Sequence, residues 1–304
     1  MNQAVAAPGQ AAVVPSAALR VAGSRGPLQR ALVRTIRNPM GLLGAAIVTA
    51  LVATALAAPL LAPYDPVTQH PGYELLPPTI EFPLGTDQLG RDLLSRLIYG
   101  GRPSFIVGII AVGIGAGIGV LTGLVAGYLG GAVDSAIMRA YDVVVAFPPI
   151  LLGIAVVAVL GPGVYNVAYA LAIAIAPYFA RVTRASVLTE KRRDYVLAAR
   201  STGVRAGRVM LAHVLPNCLA PLLVQLALAM GISVLAEAGL SFLGLGTQPP
   251  TASWGQMLNG SRQYLRTDPW LAVWPGLALA LLLLGVNFLA DALRDALDPR
   301  RVNG

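Results

Sequence analysis

The sequence predicts an all-α integral membrane protein, a bundle of six transmembrane helices. Three observations carry that expectation. Hydrophobic residues make up 56% of the 304 positions and charged residues 12%, with a mean hydropathy of +0.69. Uncharged stretches long enough to cross a bilayer recur along the chain, and most basic residues gather between them. A soluble domain carries roughly 25% charged residues, so half that share cannot coat a water-facing surface. A soluble enzyme, a disordered chain and a nucleic-acid-binding domain are excluded on that ground. The pI near 10.1 follows from where topology puts arginine, not from a nucleic-acid partner.

A bilayer core is about 30 Å thick and takes roughly 20 apolar residues per helix. The first predicted span is 40–62 and the second 104–127. The uncharged run from Val143 to Ala180 is too long for one crossing. Gly161-Pro162-Gly163 divides it by a tight turn into spans 143–160 and 164–187. Spans 216–236 and 269–291 complete the six, making 38–304 the membrane domain. Residues 238–261, rich in Gly, Pro, Gln, Thr and Ser, read as a loop or re-entrant segment. Residues 1–37 lack the basic-then-apolar pattern of a cleaved signal and read as a cytoplasmic tail, disordered or a surface helix. With the N-terminus cytoplasmic, 17 of the 22 basic side chains lie inside and 5 outside, which satisfies the positive-inside rule. Both termini are then cytoplasmic.

Gly115, Gly119, Gly123, Gly127 and Gly131 repeat every fourth residue of the second span. Such a stripe lets helix backbones approach closely; lining a narrow pore is the alternative. The spans are almost free of charge, whereas ion-coupled carriers usually keep ionisable residues inside the membrane. Asp142 and Glu237 fall at span ends, where an interfacial position is expected. The single lysine, Lys191, stands in TEKRR, so no Gly-Lys-Ser/Thr phosphate loop exists. His70 and His213 are isolated, and Cys218 sits in an apolar stretch as a small hydrophobe. The sequence offers no catalytic or metal constellation and no cofactor site; if the chain moves a solute uphill, another subunit must supply the power.

The loop 188–215 carries Ala198-Ala199, three residues, Gly203, then eleven residues before Leu215-Pro216. Small alanines let a short helix sink into a partner's groove. Gly203 can take the left-handed conformation that ends one helix, and Pro216 suits a first helical turn. This spacing resembles the EAA loop of ABC importer permeases. FPLGTDQLGRDLLSRLIYGGRPS from Phe82, DVVVAFPPILLGIAVVAVLGPG from Asp142, EAGLSFLGLGTQPPTASWGQML from Glu237 and DALRDALDPR from Asp291 resemble the dipeptide/oligopeptide ABC permease family, in particular its C-type subunit. The likeness runs from about residue 30 to the C-terminus. Two positions depart from it: Leu197 stands where the motif opens with Glu, and His213 stands at the Ile position.

The resemblance implies the type I ABC importer fold in the plasma (inner) membrane. It implies a homologous B-type permease as partner, two cytoplasmic ATPases that bind ATP and Mg, and an extracytoplasmic peptide-binding protein. It implies an ATPase-coupling role for Asp194, Tyr195, Ala198, Ala199, Gly203, Arg208, His213 and Pro216. The outer loops 63–102 and 238–268 would meet the binding protein. Asp87, Arg91, Asp92, Trp254 and Arg262 are candidate contacts there, with a solvated or interfacial face as the alternative. Gln225, Met230 and Ser233 are expected to include path-facing positions, because a polar group is costly against lipid and Met230 lies three residues before Ser233. Peptides are the expected cargo, with glutathione or chelated nickel as alternatives. A stand-alone channel or secondary carrier is the distant rival.

Overall fold

The computed structural model describes residues 33–297. The expected tail falls mostly outside that range; its last residues, 33–37, are helical. Among the described residues every regular element is a helix. α1 (Pro39–Leu56) opens on Asn38, whose side chain accepts the Met40 N–H, with Pro39 at the first position. α2 (Leu93–Leu129) opens on Asp92, which accepts the Ser95 N–H at 2.7 Å. α3 (Gly131–Val145) and α4 (Pro149–Leu160) follow, then α5 (Val164–Glu190) and α6 (Asp194–Ser201). α7 (Leu219–Phe242), α8 (Trp254–Ser261) and α9 (Trp270–Leu297) complete the chain.

Four helical segments differ from the sequence expectation. α2 starts at Leu93, eleven residues before the predicted 104, because Arg96 and Arg102 find acceptors inside the protein instead of ending the helix. The stretch 131–160 forms two helices bent by 87°. Pro148 and Pro149 force that break, since neither can donate an N–H back to the preceding turn. α4 alone, at 12 residues, rises only about 18 Å, so α3 and α4 together make up at most one crossing. Pro216 lies inside a helical run from Ala206 to Phe242. The run passes there through a π segment, Val209–Val214, and a 3₁₀ turn, Leu215–Cys218, which absorb the missing proline donor. Finally, α7 continues through Glu237 to Phe242.

The glycine stripe settles as packing. A Cβ on Gly115 would meet Ile175 Cγ1 at 2.5 Å, one on Gly119 the Ala176 carbonyl, one on Gly123 the Ala180 carbonyl, and one on Gly127 Val187 Cβ at 2.9 Å. The partners rise in number together, so α2 and α5 run parallel with backbones nearly touching. Gly131 is not on this stripe: it lies beyond the helix end with φ +57°. α1 packs antiparallel on α9, with Gly41 against Ala292 and Gly44 against Gly285. Asp134 and Asp142 of α3 pair with Arg184 and Arg181 of α5, so α3 is held by ion pairs although none of its residues is buried.

Candidate functional sites at the two ends of the bundle

At one end, residues 191–218 pack over the ends of α2 and α5. Val196, Val209, Val214 and Cys218 are buried with Leu124, Tyr128 and Val187. Two hydrogen bonds cap α6: Gly203 N–H to the Arg200 carbonyl at 3.0 Å and Val204 N–H to the Ala199 carbonyl at 3.3 Å. This pair of bonds around a left-handed residue is a Schellman cap, and Gly203 supplies the conformation at φ +79°. Ala199 and Val204 pack on the buried cluster beneath. Lys191 Nζ donates to the Gly127 carbonyl at 2.6 Å, and the Arg200 guanidinium lies 5.1 Å over the Tyr128 ring.

The other side of this element is open. Asp194, Tyr195, Leu197, Ala198, Arg208 and Leu211 are exposed, Leu197 at 48% and Leu211 at 57%. Leucine at 197 therefore adds an outward apolar side chain where the resemblance expects a carboxylate. Tyr195 Oη donates to Glu190 Oε2 at 2.7 Å. Desolvation, and then that hydrogen bond, push its phenol up to about 12, so it stays a donor at neutral pH. His213 is half-buried, and its carbonyl accepts Asn217 Nδ2 at 2.8 Å.

At the opposite end, residues 63–92 and 243–268 form a cap knotted by charge. Asp87 Oδ2 accepts Arg91 Nε at 2.7 Å and faces Arg96 Nε at 3.3 Å. Asp87 Oδ1 accepts the backbone of Leu89 and Arg91. Arg96 also donates to the Pro66 carbonyl at 2.9 Å and to Gln256 Oε1 at 3.0 Å, joining both loops to α2. Trp254 Nε1 donates to the Leu97 carbonyl at 2.9 Å. Asp87, Arg91, Asp92 and Trp254 are all buried, so the expectation that they form an outward contact surface is corrected: they build the cap from within. Arg262 is exposed and lies 5.1 Å over the Phe242 ring.

The residues expected on the path divide. Gln225 and Ser233 line a cavity of about 170 Å³ with Pro149, Ile175 and Tyr178, between α4, α5 and α7. Ser233 Oγ is buried there without a hydrogen-bond partner. Met230 faces elsewhere. It packs on Gly108 and lines an apolar crevice of about 430 Å³ between α1, α2 and α9. Three residues along a helix is also about 60° around it, and α7 is wedged between two grooves, so adjacency did not mean a shared face. Sequence reasoning missed Arg96 and Glu237. Glu237 is fully buried, not interfacial, and takes hydrogen bonds from Ser104 and Ser241. Its signal was a lone acid closing a run of more than 20 uncharged residues, 214–236.

Long apolar helices, with a knotted cap at one end and a short exposed helix at the other, make a polytopic membrane protein. Residues 119–303 match the family described as binding-protein-dependent transport system inner membrane component, and residues 26–78 match the N-terminal TM domain of oligopeptide transport permease C. The chain belongs to this family and is a multi-pass inner-membrane permease of the ABC importer class. It is 46% identical over 270 residues to the dipeptide transport system permease protein DppC of Escherichia coli, covering 87% of this chain and 90% of that one. The di/tripeptide permease DppC of Pseudomonas aeruginosa is 45% identical, covering 83% and 86%. The glutathione transport system permease protein GsiD of Escherichia coli is 44% identical, covering 87% and 88%. In structure the chain resembles one from the MetNI methionine ABC transporter in inward-facing conformations, with a TM-score of 0.56 at 18% identity, over 68% of this chain and 98% of that one. That likeness concerns the fold alone.

Proposed function

We propose that this chain is the C-type permease subunit of an ATP-driven importer of dipeptides or oligopeptides, forming half of the translocation path. The observation that carries the reading is the near-full-length identity to dipeptide permeases. A homologous B-type permease supplies the other half. Two ATPases hold ATP and Mg, and one of them docks on the open face of residues 194–213, where Tyr195, Leu197, Ala198 and Leu211 stand outward over a buried underside. Ala199, Gly203 and Pro216 shape that element rather than touch the partner, while Asp194, Arg208 and His213 flank it. Both termini lie in the cytoplasm, so the 63–92 and 243–268 cap faces a peptide-binding protein, with Arg262 and the tip 248–251 as contacts. Gln225 and Ser233 face the path.

Reconstitution of the chain with its cognate partners in proteoliposomes tests this. Labelled dipeptide should enter only with ATP and the binding protein. ATP-dependent uptake of glutathione with no uptake of dipeptide would transfer the assignment to the glutathione carriers. Uptake by the chain alone would end the importer reading.

A further inference from the structure

Glu237 is the only charged residue of α7, and it is fully buried. Its partners come from three elements. Ser104 Oγ of α2 donates to Oε2 at 2.7 Å. Ser241 Oγ, one turn along α7, donates to Oε1 at 2.6 Å. Thr247 Oγ1 of the following loop reaches Oε1 at 3.4 Å, while its N–H donates to Ser241 Oγ at 3.0 Å. The backbone is pressed onto this knot. A Cβ on Gly246 would meet Ser241 Cα at 2.9 Å, and one on Gly255 of α8 would meet Ser241 Cβ at 2.8 Å. Directly above, residues 248–251 form an exposed tip.

Among the described residues no cation answers the carboxylate. Residues 243–261 contain no charged side chain. On α2, Arg96 is turned to Asp87 and Gln256, and Arg102 to the carbonyls of Ala55 and Leu56. A lone acid in an apolar bundle is costly, and an apolar residue would pack α7 against α2 at less expense. What the acid adds is connection: its two oxygens gather hydrogen bonds from Ser104 of α2, Ser241 of α7 and Thr247 of the loop. They tie the loop to α2 next to Pro103, which leaves the Tyr99 carbonyl without its helical donor and weakens the helix at that turn.

We propose that Glu237 is a positioning residue for transport: it carries displacement of the tip 248–251, when the solute-binding protein seats there, into α2 and α7. The inference rests on the proposed importer function. Displacement of the tip moves Thr247, Thr247 moves Ser241 and the carboxylate, and the carboxylate draws Ser104 at the weakened turn of α2.

The test is the ATPase rate of the reconstituted complex with saturating loaded binding protein, divided by the rate without it. Glu237→Gln keeps the volume and one acceptor, and Ser104→Ala removes a single donor. Each should lower the ratio at least about fivefold, the lower end of ordinary coupling between sites. The double variant should be no worse than Glu237→Gln alone, because both cut one link. A merely structural role would lower yield and both rates together and leave the ratio unchanged, which overturns the proposal. Effects of the two substitutions that multiply independently overturn it as well. Should Glu237→Gln fail to assemble, the ratio for Ser104→Ala decides alone. A wild-type complex that no binding protein stimulates would instead refute the importer reading on which the inference stands.

Discussion

Arg96 Nη2 donates to Gln256 Oε1 at 3.0 Å, so a first-turn residue of α2 holds a helix 160 positions further on. The same guanidinium faces Asp87 at 3.3 Å, and both side chains are buried. Removing one member of a buried pair leaves the other uncompensated, which typically costs about 3–5 kcal/mol. Arg96→Ala should therefore loosen the cap that joins 63–92 to 243–261. Detergent-solubilised complex should show a lower unfolding temperature and faster proteolysis within those two segments. Unchanged cleavage there would show that the cap is held by its apolar contacts alone.

The α2–α5 seam offers a control inside one helix. A methyl on Gly119 or Gly123 would run into the carbonyls of Ala176 or Ala180, whereas Gly113 and Gly117 have nothing within 4 Å. Gly119→Ala and Gly123→Ala should destabilise the subunit by roughly 1–3 kcal/mol through overpacking. Gly113→Ala and Gly117→Ala should be silent or slightly stabilising, since alanine favours the helix. Thermal unfolding of the four purified variants reads the difference. Equal behaviour of all four would mean that the two helices separate easily.

α7 lies between two grooves, so the proposed path sets neighbouring residues apart by their expected reactivity. Cysteine at Gln225 or Ser233 should react with a small impermeant thiol reagent in at least one state of the ATP cycle, with substrate slowing the reaction. Cysteine at Met230 should stay unreactive toward that reagent, because its crevice is lined by Val52, Phe105, Leu282 and Val286. Labelling at 230 that substrate blocks, with none at 225 or 233, would exchange the roles of the two grooves.

What the sequence made legible was what composition and period determine. The low charge required a membrane, the four-residue glycine spacing pointed to a close helix seam with a pore lining as the alternative, and the break at Gly161–Gly163 needed only local chemistry, with φ of +87° and +144° at its two glycines. What stayed hidden depended on partners far along the chain. Arg96 resembled a loop residue because its acceptors, Asp87, Pro66 and Gln256, come from two separate segments. Glu237 resembled an interfacial acid because Ser104 stands 133 residues away. Asp87 and Trp254 read as surface residues for the same reason: polarity was visible, but not the fold that encloses it.

Gly203 gives the most direct test of the proposed docking element. Its φ of +79° lies in the left-handed region, and the residue closes the two-bond cap on α6. A Cβ at this position would have no atom within 4 Å, so within this chain a substitution is opposed by backbone strain and not by crowding. That strain is roughly 1–2 kcal/mol for an ordinary L-residue and more tolerable for asparagine. Gly203→Val should unwind the end of α6 and shift Leu197 and Ala198 on the open face, leaving membrane insertion intact because the long helices lie elsewhere. Gly203→Asn should retain most activity. Peptide uptake and binding-protein-stimulated ATPase should both fall in the valine variant, while the amount of inserted subunit stays at the wild-type level. Because the site is sterically open, equal loss in the valine and asparagine variants would point to a partner surface pressed against residue 203. Wild-type transport by the valine variant would remove the cap from the coupling path altogether.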